Sequence, residues 1–223
     1  RTALLRHAAH ELKTPLASIK EGCSLLSDNV VGSLNEQQSE VLSLLTSSTQ
    51  RLNTLVEKLL DYNLLLQQAQ PKFSQANPQL LVDECLEDYA LALQEREVAV
   101  DIRTDTIRID EELFRRILDN LVSNAVAHGA TGRPININIY IEGDNAILDV
   151  ANRGKKIPHD TAGSLFEPFT RGDGPRNDNV IGTGLGLSIV SDCARLMHGD
   201  VAVVDVDYAD VCFRVSIPQQ EAY

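Results

Sequence analysis

Near the start of the chain a histidine, a carboxylate and a hydroxyl fall within five residues, His10-Glu11-Leu12-Lys13-Thr14, with Pro15 next. Leu5, Ala9, Leu12, Leu16, Ile19, Cys23 and Leu26 alternate in steps of four and three, the signature of a helix with one buried seam. With Leu12 and Leu16 at heptad positions d and a, His10 falls at b and Thr14 at f, one turn apart and both facing solvent. A neutral imidazole held in water beside a carboxylate, with a hydroxyl one turn on, makes a reactive surface and adds nothing to a core. Taken alone, an exposed histidine is an ordinary solvated residue. A helical zinc site is a poorer alternative, because His-Glu-x-x-His needs a second imidazole where Thr14 stands.

Two further groups carry chemistry in their spacing. Arg116, Asn120, Asn124 and His128 line up at i+4 steps, opposite the apolar face of one helix. Mg²⁺ takes hard oxygens and keeps most of its waters, so one or two amide oxygens plus substrate phosphates suffice to hold it. Gly182-Thr183-Gly184-Leu185-Gly186-Leu187 opens a later helix, where glycines let backbone amides approach a phosphate. In isolation, paired asparagines are mostly solvated and a glycine-rich turn is mostly a turn.

These residues need elements to position them. The first helix is about 40 Å long at 1.5 Å per residue, and the second, over 35–70, about 50 Å. Val41, Leu45, Ser48, Leu52, Leu55, Leu59, Tyr62 and Leu66 repeat the four-three rhythm there, and 27–34, with Asn29 and Gly32, turns the pair into an antiparallel hairpin. Leu44, Val56, Leu60 and Leu65 widen the second stripe beyond what one hairpin covers. Two hairpins in a four-helix bundle do cover it, which predicts a homodimer; the alternative is packing of the surplus face on the rest of the same chain. Pro15 leaves the carbonyl of Glu11 without its i+4 partner and kinks the first helix beside His10.

Residues 71–78 read as a linker, and the changing period over 79–223 predicts an α/β domain. Its expected elements are a helix over 79–95 with Val82, Cys85, Leu86, Tyr89 and Leu93 inward, a strand over 98–102, and a helix over 111–128 burying Phe114, Ile117, Leu118, Leu121, Val122 and Ala125. Ile135, Ile137, Ile139 and Ile141 alternate with polar residues, a strand with one wet face that turns at Gly143-Asp144-Asn145 into a second strand over 147–151. A helix after Gly182 ends at a Met197-His198-Gly199 cap, and a hairpin over 201–206 and 211–217 closes the domain. Between Gly154 and Gly184 lies a long Gly/Pro/Asp/Asn-rich segment whose aromatic residues, Phe166 and Phe169, look like anchors of a lid.

With 223 residues, 43% of them apolar, the chain supports one large domain or two small ones with a packed core. A net charge of −12 argues against a nucleic-acid surface but leaves room for a nucleotide held by backbone N–H groups and Mg²⁺. Cys23, Cys85, Cys193 and Cys212 are far apart, with no C-x-x-C pair, and read as reduced thiols of a cytosolic setting. No apolar run approaches the roughly 18 residues that span a bilayer, and no signal peptide is visible. Beginning at Arg1 rather than Met, the chain is expected to be a piece of a longer protein.

The order of these features has more force than any one of them. His10-Glu11-Leu12-Lys13-Thr14-Pro15 is followed by Asn120-x-x-x-Asn124-Ala125, then Asn152-Arg153-Gly154, Leu165-Phe166-Glu167-Pro168-Phe169 and the Gly182–Leu187 run. In that order the whole chain resembles the dimerisation and ATP-binding domains of a bacterial two-component sensor histidine kinase. The resemblance implies an all-α helical hairpin over 1–70 (a four-helix bundle as a dimer), then over 79–223 an α/β two-layer sandwich of the Hsp90/gyrase/histidine-kinase ATPase type. It implies that His10 Nε2 attacks the γ-phosphate of ATP while Glu11 takes or orients the Nδ1 proton, which is chemically sound because an adjacent carboxylate favours that tautomer. Phosphohistidine would pass its phosphoryl group to an Asp of a response regulator, and Thr14 would position water against the regulator's aspartyl phosphate in a separate, phosphatase reaction. Asn124 would hold Mg²⁺, with Asn120 assisting; His128, Asn152, Gly154, Arg171, Gly182, Thr183, Gly184, Leu185 and Gly186 complete the implied ATP site. The same resemblance implies a cytoplasmic fragment, making no membrane contact itself, of a protein anchored in the bacterial inner membrane.

Several positions depart from the family pattern. Its first glycine box reads Asp-x-Gly-x-Gly, the Asp accepting from the adenine amino group, whereas this chain has Asn152-Arg153-Gly154-Lys155-Lys156. Losing the charge weakens that hydrogen bond and predicts about ten-fold weaker adenine binding. Lys156 narrows backbone freedom, although its ammonium could reach a phosphate. Ala127 stands where a Lys or Arg is common, and Ala209-Asp210 replaces a Gly-Thr-type turn before the last strand. Three activities compete: an autokinase and phosphatase, a degenerate kinase that mainly docks or dephosphorylates a regulator, and a plain ATPase without a phosphoprotein. The exposed His10-Glu11 pair argues against the third.

Overall fold

A computed structural model describes residues 2–65, 70–94, 96–168 and 184–220, with side chains throughout except at 2–11, 58, 59, 61–65 and 159. The chain forms two compact units, Arg1–Gln68 and Ala69–Tyr223.

In the first unit, helices α1 (Thr2–Ser27) and α2 (Glu36–Leu65) pack as a hairpin. The turn between them uses Asn29 and Gly32, both at positive φ, as their types allow. A capping box starts α2: Gln38 N–H donates to Asn35 Oδ1 (2.8 Å), and Asn35 N–H donates to Gln38 Oε1 (2.9 Å). Leu16 packs against Val56 and Leu60, and Cys23 and Leu42 are also buried. The seam differs from the expected one. Val41, Leu45 and Leu52 are exposed, as are Leu12, Ile19 and Leu26 of α1. Helix α2 carries two apolar stripes, and the hairpin buries the one through Leu42 and Val56, leaving the other uncovered within the chain.

The second unit opens with β1 (Ser74–Ala76), α3 (Pro78–Asp88), β2 (Val98–Ile102) and β3 (Ile107–Ile109). Residues 71–78, expected as a linker, are therefore part of this unit. β1 pairs antiparallel with β3, Lys72 N–H donates to Asp110 (2.7 Å), and Phe73 lies between the His198 ring and the Arg108 guanidinium. α3 is shorter than its periodicity predicts: the chain leaves the helix at Tyr89, whose hydroxyl donates to Asp119 (2.7 Å). Pro78 at its first turn and Asn77 as cap set its start.

Helix α4 (Glu111–His128) has the expected bounds and buried face, and Asp110 caps it by accepting from Leu113 N–H (3.1 Å). β4 (Ile135–Glu142), β5 (Asn145–Asn152), a short α5 (His159–Ala162), a 3₁₀ turn at Ser164–Phe166, α6 (Gly186–Leu196), β6 (Asp200–Val203) and β7 (Val211–Pro218) follow. The sheet runs β2-β4-β5-β7-β6, with β2/β4 parallel and the other pairs antiparallel. Helices α4 and α6 pack on each other and on the sheet, over Ile135, Ile137, Ile139, Leu148, Val150, Phe213 and Val215. This is the α/β two-layer architecture expected.

β5 is buried on both faces. On the side away from the isoleucine row, Asp149 takes a two-pronged ion pair from Arg214 (2.8 Å and 2.8 Å), and Ala151 and Cys212 are covered by Val204, Val206 and Ala209 of the β6–β7 loop. The α6 cap also differs in detail. His198, not Gly199, takes the left-handed turn (φ +61°), while Gly199 N–H donates to Ala194 O (2.8 Å). Gly199 is needed because a Cβ there would collide with the carbonyl of Ser216.

Candidate nucleotide and phosphoacceptor sites

In the first unit, the backbone of His10 and Glu11 lies on α1, and their side chains lie outside the described residues. Thr14, one turn on, is exposed, as are Leu12, Lys13 and Pro15, before Leu16 turns inward. The stretch that follows His10 is thus a solvated face with a hydroxyl on it.

In the second unit, α4 is the spine of the site. Its apolar face is locked against the sheet, so Asn120 and Asn124, both half-buried, stand at the edge of that packing. Asn120 Nδ2 donates to Arg116 O (2.7 Å), which turns Oδ1 the other way, and a Cβ on Gly186 would be 3.1 Å from that oxygen. Asn120 and the glycine turn before α6 therefore meet directly. Gly184 sits at φ +73°, a conformation that favours glycine, Leu185 is fully buried, and no side chain caps the first turn of α6. Asn124 has no side-chain partner among the described residues.

The C-terminal end of α4 reaches the other glycine turn. Gly129 bridges Gly154, Ala130 N–H donates to Arg153 O (2.7 Å), and a Cβ on Gly154 would be 2.9 Å from His128 O. His128 is exposed. Asn152, 3% exposed at the end of β5, donates from Nδ2 to Arg153 O (3.1 Å). Asp210 accepts from Gly154 N–H (3.1 Å).

The structure thus sets Asn120, midway along α4, against Gly186, which Leu185 and Gly184 precede in sequence, and brings His128, Asn152 and Gly154 together at the C-terminal end, with Asn124 between in sequence. Arg171, Gly182 and Thr183 lie outside the described residues, as does Phe169. Phe166 meets Phe213 edge-on, ring centroids 6.3 Å apart, as expected of an anchor.

Two residues of this region were not legible as site residues. The Arg96 guanidinium donates to four carbonyls, of Ala125 (3.2 Å), Val126 (3.3 Å), Ala130 (3.0 Å) and Arg133 (2.9 Å). It closes the C-terminus of α4, with no carboxylate partner among the described residues, and burial pulls its pKa down. Gly129 leaves room for it, since a Cβ there would strike the guanidinium. Asp210 is the other; its only signal in the sequence is that it replaces a turn residue. Among the described residues no group of three or more His, Cys, Asp and Glu could hold a metal ion.

Comparison with known proteins gives the same division. Residues 109–221 match the family described as "Histidine kinase-, DNA gyrase B-, and HSP90-like ATPase", and residues 1–67 match the "His Kinase A (phospho-acceptor) domain". The chain is 41% identical to the sensor histidine kinase GlrK of Escherichia coli K12, over 99% of this chain and 47% of GlrK. It therefore spans about half the length of that curated relative. Full-length ShkA, solved in complex with AMPPNP, superposes with a TM-score of 0.76 at 26% identity, over 100% of this chain and 47% of that one. The histidine kinase AdeS of Acinetobacter baumannii shares the fold, with a TM-score of 0.66 at 21% identity, over 95% of this chain and 98% of that one.

Proposed function

Since the chain belongs to the sensor histidine kinases of two-component signalling, an ATP-dependent family, we propose that it phosphorylates its own His10 from ATP and passes the phosphoryl group to an Asp of a response regulator. The observation that carries the reading is α4, whose amide-bearing face runs from the glycine turn at Gly184–Gly186 to the one at Asn152–Gly154. In that reading the base lies at Asn152, and the phosphates lie toward the α6 N-terminus, where the helix end favours anions. The carboxamide oxygen of Asn124, half-buried and without a side-chain partner among the described residues, is a suitable hard ligand for Mg²⁺, with Asn120 one turn away. Bound Mg²⁺ would neutralise charge on the phosphates.

His10 Nε2 then forms a bond to the γ-phosphorus as the bond to the β,γ-bridging oxygen breaks, and ADP leaves with that electron pair. Glu11 holds or takes the Nδ1 proton. Thr14, exposed one turn on, positions water against the regulator's aspartyl phosphate in the phosphatase direction. The ATP-site set also includes His128, Leu185 and, outside the described residues, Arg171, Gly182 and Thr183. A homodimer is supported by the uncovered stripe of Leu12, Ile19, Val41, Leu44, Leu45 and Leu52, which a second hairpin would bury. No helix among the described residues is long and apolar enough to cross a membrane; that the whole protein is anchored in the inner membrane is part of the same proposal.

The test is incubation with labelled ATP and Mg²⁺, followed by acid treatment. An acid-labile label is expected on the chain and not on His10→Gln or Asn124→Ala. Label that survives in His10→Gln, or none in the parent, overturns the autokinase reading. One observation favours a second reading, a regulator-docking or phosphatase module with weak nucleotide affinity: the adenine-facing carboxylate of the family is Asn152 here. Millimolar ATP affinity, combined with phosphatase activity that needs Thr14, would support it.

A further inference from the structure

Asp210 brackets the turn at Asn152–Gly154 from two sides. Its N–H donates to Asn152 O (3.2 Å), its Oδ2 accepts from Gly154 N–H (3.1 Å), and its Oδ1 lies 3.6 Å from Arg153 Nη1. The carbonyl of Arg153, inside that bracket, accepts from both Ala130 N–H (2.7 Å) and Asn152 Nδ2 (3.1 Å).

A carboxamide has a donor end and an acceptor end of nearly the same shape, so its neighbours decide which end faces where. Here a carbonyl oxygen holds the nitrogen end, which fixes the orientation. The other end, Oδ1, has no donor among the described residues, on a residue that is only 3% exposed. A buried acceptor without a partner is costly, and it calls for a donor from a ligand.

We propose that Asp210 is a positioning residue which locks the Asn152–Gly154 turn, so that Asn152 presents only its carbonyl and the site takes 6-amino purines over 6-oxo purines. The inference rests on the reading that Asn152 lies at the base end of the nucleotide site. An exocyclic amine donates to Oδ1, whereas a 6-oxo group would set two acceptors against each other. Without the Asp210 carboxylate, Gly154 N–H and the Arg153 guanidinium lose their shared partner. The Arg153 carbonyl is then free to shift, the carboxamide to turn over, and its –NH₂ end to accommodate a 6-oxo base.

The experiment measures ATP and GTP affinities by calorimetry on the whole chain and on Asp210→Ala and Asp210→Asn. The parent is expected to prefer ATP, and Asp210→Ala to narrow the ATP-over-GTP ratio by about ten-fold. Asp210→Asn keeps an acceptor for Gly154 N–H and should restore most of the preference. Asp210→Gly, which also lacks a side-chain acceptor, takes the place of the alanine variant if that one does not fold. An unchanged ratio in a folded Asp210→Ala or Asp210→Gly overturns the proposal, as does equal weakening of both nucleotides, which would mark a merely structural role. If the parent binds neither nucleotide, the nucleotide reading itself fails.

Discussion

Asn152 shows how much a single side chain depends on its neighbours. Viewed as a lost charge, it predicts that Asn152→Asp would strengthen nucleotide binding about ten-fold. The structure changes that expectation, because Nδ2 donates to Arg153 O and Asp210 lies beside the same turn. A carboxylate at 152 would face a carbonyl and stand near a second carboxylate. We expect Asn152→Asp to gain less than about ten-fold in ATP affinity and to lose about 1–3 kcal/mol of stability. Calorimetry and urea midpoints on one preparation check both halves. Arg96 makes the related point that backbone carbonyls can hold a guanidinium. Its four carbonyl acceptors come from 125–133, far from it in sequence, and nothing about an arginine before a strand announces them.

Among the elements, those with a local cause follow the sequence closely. β2 and α4 have the predicted bounds, because alternation, an Asp cap and an uninterrupted apolar face all act within a few residues. β1 escapes because Ser74-Gln75-Ala76 has no alternation to see, and its strand exists only through pairing with β3. α3 ends early because Tyr89 bonds to Asp119 on another helix, against a periodicity that runs on to Leu93. The end of α6 yields a test. Gly199→Ala should cost about 1–3 kcal/mol by overpacking against Ser216, although its own φ does not require glycine. A chemical denaturation series that shows no loss would contradict that account of the turn.

For the molecule as a whole, two properties follow. The exposed stripe on α2 predicts association: Leu44→Asp with Leu45→Asp, at positions 64% and 52% exposed in the single chain, should give a monomer by light scattering with helix content retained. The second is pH dependence in the second unit. Burial pushes the Cys193 and Cys212 thiols up to about 12 from an ordinary 9.0. Unfolded thiols ionise first, so between those values the unfolded chain has released protons that the native chain still holds. Their contribution is therefore fully present below pH 9, and stability is lost as pH rises toward 12. Urea midpoints should fall between about pH 8 and about pH 10.5, and the fall should flatten in Cys193→Ala with Cys212→Ala.

By itself the sequence determined the two long helices, most of the sheet, the asparagine-bearing helix and the order of motifs that marks the family. Each of these is written in periods and caps that act over a few residues, so they can be read without knowing where the chain returns. Only the tertiary structure decided which stripe of α2 the hairpin buries, that 71–78 is part of the second unit, and that Asp210 holds the turn of Gly154 from 56 positions away. Those outcomes depend on which distant groups arrive to satisfy a buried donor or cover an apolar face, and no local pattern specifies the arrival.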